Sequence, residues 1–323
     1  MGASMVPLWY IASRKVKSLF KQGSVALMAI GAAFAFVIMM FNVPVPDGTT
    51  AHATGGVLLA VALGPWAAII SMSIALAIQA LFFGDGGILA FPANAFNMAV
   101  AGPLVGYAVY RLVAGPSRAG TARQWIGAAA GAYVGINVAA VLTAVEFGLQ
   151  PVLFTTSDGT PLYSPYRLEL ALPAMLFAHL LVAGPVEAVV TGVAVAYLRR
   201  TFPELVVSKA KSAGNGKKSF RPLWIALSLL VLLTPLGLLA QGPAWGEWSP
   251  EELSSVVGFV PKGIEELSGL WSGLLPDYSV PGWYSGPLAV AGYVVSALLG
   301  MLLVAGVALG ISRLLTRKQE GPA

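Results

Sequence analysis

Cysteine is absent from the 323 residues, which excludes disulfides, thiolate metal sites and cysteine nucleophiles. Charge is scarce: Asp, Glu, Lys and Arg make up 10% of the chain, against roughly 25% in soluble domains, while 57% is hydrophobic. So little charge cannot cover a water-facing surface, and the composition implies an integral membrane protein. Only two histidines are present, His52 and His179, so any imidazole chemistry rests on those two positions. Enzyme and nucleotide signatures are missing too: there is no HExxH, no Walker A GxxxxGK[ST] and no GxSxG. An ATP-driven step would need another subunit. No repeat of 20–50 residues and no low-complexity tract is seen. The first 20 residues carry their basic cluster after their apolar part, so no removable signal peptide is expected.

What is present is a series of apolar runs at 24–41, 55–83, 89–113, 124–147, 168–198, 223–240 and 287–312. A spanning helix needs about 20 such residues. Outer-membrane strands would alternate polar and apolar positions in segments of about ten, which these runs do not. The expected fold is an all-α polytopic helical bundle, with about seven segments in a first part and two helices in a second.

The net charge of +5 could suggest nucleic acid or acidic lipid, but its distribution points to topology and not to a nucleic-acid partner. Of 19 basic residues, 17 fall in four clusters: Arg14 to Lys21, Arg111 to Arg123, Arg199 to Arg221, and Arg313 to Lys318. These are expected on the cytoplasmic side. If the helix at 24–41 crosses outward, an odd number of crossings must return the chain to Arg111. The 55–83 run would be about 43 Å long as one helix, and Gly64-Pro65 interrupts it. The parity is satisfied by a short helix at 53–63, a second at 66–83, a turn FGDGG and a third from about 91 to 113. The short helix cannot span lipid and should be buried among its neighbours. This places His52, Asp85 and Asn94 on one outer side. A further amphipathic or short crossing is expected at about 5–17.

Three regions follow: a membrane domain at 1–203, a basic cytoplasmic linker at 204–221, and a two-helix domain at 222–323 whose outer loop spans 241–286. That loop holds Glu247, Glu251, Glu252, Glu265, Glu266 and Asp277 against Lys262 alone. It is expected to contact the outer face of the first domain, with Trp245 and Trp248 as interfacial anchors.

His52 admits two readings: a helix-start residue bonded to a neighbouring carbonyl, or a metal ligand with Asp47, Thr49 and Thr50 as its supporting shell. Both stand on the residues alone. Asn94 and Asn97 are three apart on one helical face and can bond one partner together, serving either helix packing or a bound ion, while Asp85 either supports that ion or simply meets water. His179 and Glu187 lie in the run 168–198, two turns and roughly 80° apart. Joint ligation would need a break at Gly184-Pro185, so they are expected, with Thr191, as structural polar residues bonded to other helices. Gly102, Gly106, Ala183 and Gly184 suit close helix packing.

The stretches PVPDGTTAHATGG, LGPWAAII, IQALFFGDGGILAFPANAFNMAVAGPLVGYAVYRL and AHLLVAGPVEAVVTGVAVAYLRR together resemble CbiM/NikM, the substrate-specific component of cobalt and nickel energy-coupling factor (ECF) transporters. The resemblance covers about residues 20–203. WGEWSPEEL, LLPDY and the last apolar run resemble the NikN-type, PDGLE-like component, so the chain looks like a fused pair. The resemblance implies a subunit in a prokaryotic plasma membrane that captures Ni²⁺ or Co²⁺ from outside and carries no cofactor. Its partners would be a CbiQ/NikQ-type coupling subunit and CbiO/NikO-type ATPase subunits. It also implies a square-planar, all-nitrogen ion site made by the N-terminal amine, the next amide, an N-terminal histidine and the histidine of G-T-x-x-H. The last of these matches Gly48, Thr49 and His52. Family members begin Met-His, whereas this sequence begins MGASMVPLWYIASRKVKS with Gly2 in that place, and a start further upstream is the expectation. Two other readings are a non-binding assembly subunit and an intramembrane metalloenzyme using His52, His179 and Glu187. Topology weighs against the enzyme, because His52 is expected at the outer surface and His179 about halfway down another helix.

Overall fold

The computed structural model describes residues 1–17, 22–45, 49–115, 121–202, 220–240 and 242–317. Asp47, Gly48 and nearly all of the expected linker lie outside the described residues. The described residues are mostly helical, and among them five helices are long and apolar enough to cross a membrane: Pro65–Phe83, Ala122–Leu153, Leu168–Thr201, Arg221–Leu239 and Gly286–Ile311. A shorter apolar helix covers Val25–Met39.

The first helices are α1 (Gly2–Lys17) and α2 (Gln22–Met39). A hairpin with two residues on each side follows, β1 (Val43–Pro44) against β2 (Thr50–Ala51), pairing Val43 with Ala51. The sequence reading expected no strands. Pro44 fixes its own backbone and pairs with Thr50.

Next come α3 (Gly56–Leu63) and α4 (Pro65–Ile78). They are separated by Gly64, whose φ of 87° is open to glycine, with Pro65 starting the next helix. This is the break expected at Gly64-Pro65. Residues Gly56 to Val61 of α3 are buried, so its backbone sits within protein. The chain continues through α5 (Phe91–Asn94), α6 (Gly102–Ala114), α7 (Ala122–Leu153), α8 (Leu168–Ala178) and α9 (Gly184–Thr201).

Helices α6 and α7 cross at glycines. A Cβ on Gly135 would stand 2.6 Å from the Gly102 carbonyl oxygen, and one on Gly102 would stand 3.0 Å from that of Gly135. Gly106 and Gly131 repeat the contact one turn away. Small residues let the two backbones meet where lipid supplies no hydrophobic drive.

Three widened, π-type turns interrupt these helices at Gln79–Phe83, Ala95–Ala101 and His179–Ala183. Two have a legible cause. Pro103 and Pro185 lack an N–H and their rings crowd the carbonyl four residues back. The glycine before each bonds five residues back instead, Gly102 to Asn97 and Gly184 to His179.

The second part supplies α10 (Arg221–Leu233) with a 3-10 turn (Thr234–Leu239), the loop helices α11 (Pro250–Val257) and α12 (Lys262–Leu267), and α13 (Gly286–Arg317). Helix α13 lies along α2, where the Tyr293 hydroxyl donates to the Met40 carbonyl at 2.8 Å. Leu227 and Val231 of α10 complete the same buried core.

Candidate metal centre

His52 follows β2 directly, and the hairpin is pinned to the second part of the chain. Thr50 N–H donates to the Pro243 carbonyl at 3.3 Å, and the Thr49 hydroxyl donates to the same oxygen at 2.9 Å. Thr49 therefore holds the loop and not the imidazole. On the other side, Thr54 and Gly55 N–H donate to the Glu187 carboxylate, at 2.6 Å and at 3.0 and 3.2 Å. Glu187 is fully buried. It closes the start of α3 and fixes the backbone two residues after His52. The expectation that Glu187 bonds another helix fits this geometry.

The His52 ring has its Nδ1 3.2 Å from the Ala53 carbonyl oxygen. It faces a cavity of about 240 Å³. Asp85, Asn94, Thr50 and Thr54 line that cavity too, so residues expected on one side do share one space. His179 lines it as well. This corrects the sequence reading, which held His179 apart from His52 and bonded to another helix. His179 Nδ1 lies 2.8 Å from the Met175 carbonyl of its own helix, and the π-turn begins at this residue, re-aiming the ring. Glu187 does not join the pair, and the Thr191 hydroxyl is fully buried without a hydrogen-bond partner.

Asn94 and Asn97 part company. Asn94 donates to the Gly86 carbonyl at 3.0 Å, whereas Asn97 donates to the Thr143 hydroxyl and to Glu146, both at 3.0 Å. The widened turn starting at Ala95 separates two residues that a regular helix would align. Asp85 does not simply meet water: it accepts from Gln79 at 3.0 Å and from the Tyr278 hydroxyl. Burial, and then the neighbouring Asp85, push the Tyr278 phenol well above its ordinary value.

The 241–286 loop forms part of the cavity wall through Ala244, Trp245, Gly246 and Glu247. Trp245 and Trp248 were expected to anchor in an interface, but both rings pack on Tyr166, at 5.4 and 5.1 Å, and Trp245 also meets Phe147. Further along, Leu274 and Leu275 N–H donate to the Phe82 carbonyl, and the Trp271 indole donates to that of Leu81. Those carbonyls belong to the π-turn ending α4. Glu247 is exposed, and its carboxyl is pushed up to about 8 by the protein that displaces water around it and then by Asp85 and Asp277.

Sequence reasoning passed over Gln79, Glu146 and Tyr278, and counted Glu247 only among the acids of the outer loop. Glu146 carried a usable signal, an ionisable group inside an apolar run. Among the described residues no three His, Asp or Glu side chains converge as a metal-binding group.

Comparison with known proteins bears on this geometry. The family described as the cobalt uptake substrate-specific transmembrane region, CbiM, matches residues 1–205, and the PDGLE domain matches residues 221–317. The fused nickel transport protein NikMN of Rhodobacter capsulatus is 47% identical over 98% of this chain and 94% of its own length. The probable fused nickel transport protein LarMN of Lactiplantibacillus plantarum is 46% identical over 93% and 89%. A crystal structure described as a truncated transition metal transporter is 59% identical, covers 62% of this chain and 91% of that one, and superposes with a TM-score of 0.57.

Proposed function

The chain belongs to the CbiM family and carries a PDGLE domain behind it, and from that premise we propose that it captures Ni²⁺ or Co²⁺ on the outer side of a prokaryotic plasma membrane through His52. It is a metal transporter component and not an enzyme. In this reading it serves an ECF-type importer, with a CbiQ/NikQ-type coupling subunit and CbiO/NikO-type ATPase subunits supplying the energy. The ion is cargo, and the chain needs no cofactor of its own.

One observation carries the proposal: His52 is held in the cavity wall by its own neighbours. The Ala53 carbonyl can only accept, so Nδ1 bears the proton and Nε2 offers its lone pair. Anchors on both sides of the residue, Pro243 before it and Glu187 after it, limit how far the ring can swing. Neutral imidazole suits Ni²⁺ and Co²⁺, whereas hard cations such as Mg²⁺ prefer oxygen. An N-terminal segment closing over the cavity would supply further nitrogens.

Calorimetric titration of Ni²⁺ and Co²⁺ into the purified protein tests this. Saturable binding by the wild type and none by His52→Ala, with the metal-free melting curve unchanged, is the expected result. Equal affinity in the two proteins would sink the assignment.

A further inference from the structure

A second space adjoins the cavity beside His52, walled on its far side by the loop of the second part of the chain. It measures about 440 Å³, against about 240 Å³ for the cavity, and the two have Ala90, Phe147 and Gly246 in common. We propose that this space is a vestibule through which the divalent cation reaches the cavity, and that the Phe147 ring is the gate between them. The proposal rests on the function given above.

The composition of the shared wall points there first. Ala90 contributes a methyl group and Gly246 no side chain, so Phe147 is the one shared residue whose side chain can swing. Helix α7 passes both spaces. Ala139, Ala140 and Thr143 line the cavity, Gln150 and the following Phe154 line the vestibule, and Phe147 lines both. Positions 140, 143 and 147 keep the three- and four-residue spacing of one helical face. The ring therefore stands on the same stripe as the cavity wall, one turn further out than Thr143.

The way the ring is held fits a gate. Gly246 has a φ of 100°, and a Cβ there would stand 2.4 Å from the tip of the Phe147 ring, so the loop backbone lies directly on it. Trp245 meets the same ring edge-on at 5.8 Å. These are contacts of surface alone, and the ring can turn aside without orphaning a polar group. While it stays in place it forms an apolar constriction, and such constrictions stop ions by excluding water.

The surroundings give the path a direction. Aromatic walls of the vestibule, Phe154, Tyr163 and Trp248, alternate with the polar Gln150 and Ser164. At Ser268 the vestibule meets a further pocket lined by Glu251 and Glu265. Both glutamates are exposed, and Lys262 is the one basic residue of the 241–286 loop. A mouth dominated by one sign of charge concentrates counter-ions and raises their on-rate. Acid at the mouth, neutral polar groups behind it, an apolar ring and then the His52 imidazole form an ordered entry for a cation.

The test reads access without any ion. A cysteine is placed at Ala140, in the cavity, or at Ser268, on the outer rim of the vestibule, in the full-length protein in right-side-out vesicles. Its reaction with a membrane-impermeant cationic methanethiosulfonate is timed, with the unsubstituted protein as blank. With Phe147 present, the thiol of Ser268→Cys should react fast and that of Ala140→Cys slowly. Adding Phe147→Ala should speed Ala140→Cys at least about tenfold and leave Ser268→Cys unchanged. Phe147→Leu, which keeps most of the volume and protects the fold, should give a smaller rise. Ala297→Cys, fully buried in the core of α2 and α13, reports general loosening and should stay slow. The inference falls if Ala140→Cys already matches Ser268→Cys beside an intact Phe147, if neither Phe147 variant changes its rate, or if Ala297→Cys speeds up in step. Ni²⁺ association and dissociation should both quicken in Phe147→Leu with their ratio kept, because a gate lies on the path and not at the ion. A change in affinity alone would overturn it. Thiol rates that behave as expected in a protein without Ni²⁺ affinity would keep the gate and remove capture by His52.

Discussion

Replacing Glu187 by alanine should uncouple His52 from its support without touching the cavity wall. The carboxylate accepts the Thr54 N–H at 2.6 Å and the Gly55 N–H at 3.0 and 3.2 Å, all within the buried core. Alanine leaves two buried backbone donors without acceptors. At about 1–3 kcal/mol for each orphaned group, the loss is about 2–6 kcal/mol. Glutamine differs: its carbonyl oxygen can take the place of Oε2 and still accept from both N–H groups, while its amide nitrogen, set where Oε1 accepted from Gly55 at 3.0 Å, loses that contact and meets the Gly55 N–H as a second donor. Glu187→Gln should therefore cost less than Glu187→Ala, because neither backbone donor is left without an acceptor, but more than nothing. Unfolding free energies measured by denaturing-detergent titration report the ordering, and metal titration of the same samples reports how firmly His52 is held. The reasoning is refuted if Glu187→Ala matches wild type in stability, or if alanine and glutamine cost the same.

Two further outcomes follow from the packing and the charges. Gly131→Ala would drive a methyl group into the backbone oxygen of Gly106, an obstacle that cannot rotate away; a loss of about 1–3 kcal/mol or more is expected, read as melting temperature, with Gly306→Ala, where nothing stands within 4 Å, as the neutral control. Glu247, its carboxyl pushed up to about 8 from 4.5, binds more protons folded than unfolded, so its contribution is fully present below 4.5 and is lost as pH rises through 8. Backbone hydrogen exchange across 242–286, corrected for intrinsic rates, should therefore show looser docking at pH 9 than at pH 6. Glu247→Gln should flatten that dependence, and a flat wild-type profile would contradict the assignment.

The helices were legible because apolar runs, glycine and proline act locally. Gly64-Pro65 divided α3 from α4 in sequence as it does in space, and the burial of the short α3 followed from its length alone. The widened turns were harder to see. A Gly-Pro pair marks two of them, at 102–103 and 184–185, but the pair states only that the helix is disturbed, not which way the preceding residues turn. That rotation separates Asn94 from Asn97 and brings His179 to the cavity of His52. Contacts between distant segments left no local trace at all. Nothing around Tyr278 announces that its hydroxyl meets Asp85, 193 positions earlier, and the two loop tryptophans read equally well as lipid anchors until Tyr166 and Phe147 are seen beneath them.

The second part of the chain closes one side of the cavity with Ala244 to Glu247 and hangs that wall on the Phe82 and Leu81 carbonyls and on the hairpin beside His52. A wall of this kind makes occupancy and docking reciprocal quantities. Whatever factor the docked loop adds to the affinity of an ion in the cavity, the bound ion adds to the docking of the loop, because both belong to one thermodynamic cycle. Substitutions at Trp271 or Tyr278, neither of which lines the cavity, would then appear as changes in ion retention, and an emptied cavity would appear as a looser grip on the far half of the polypeptide.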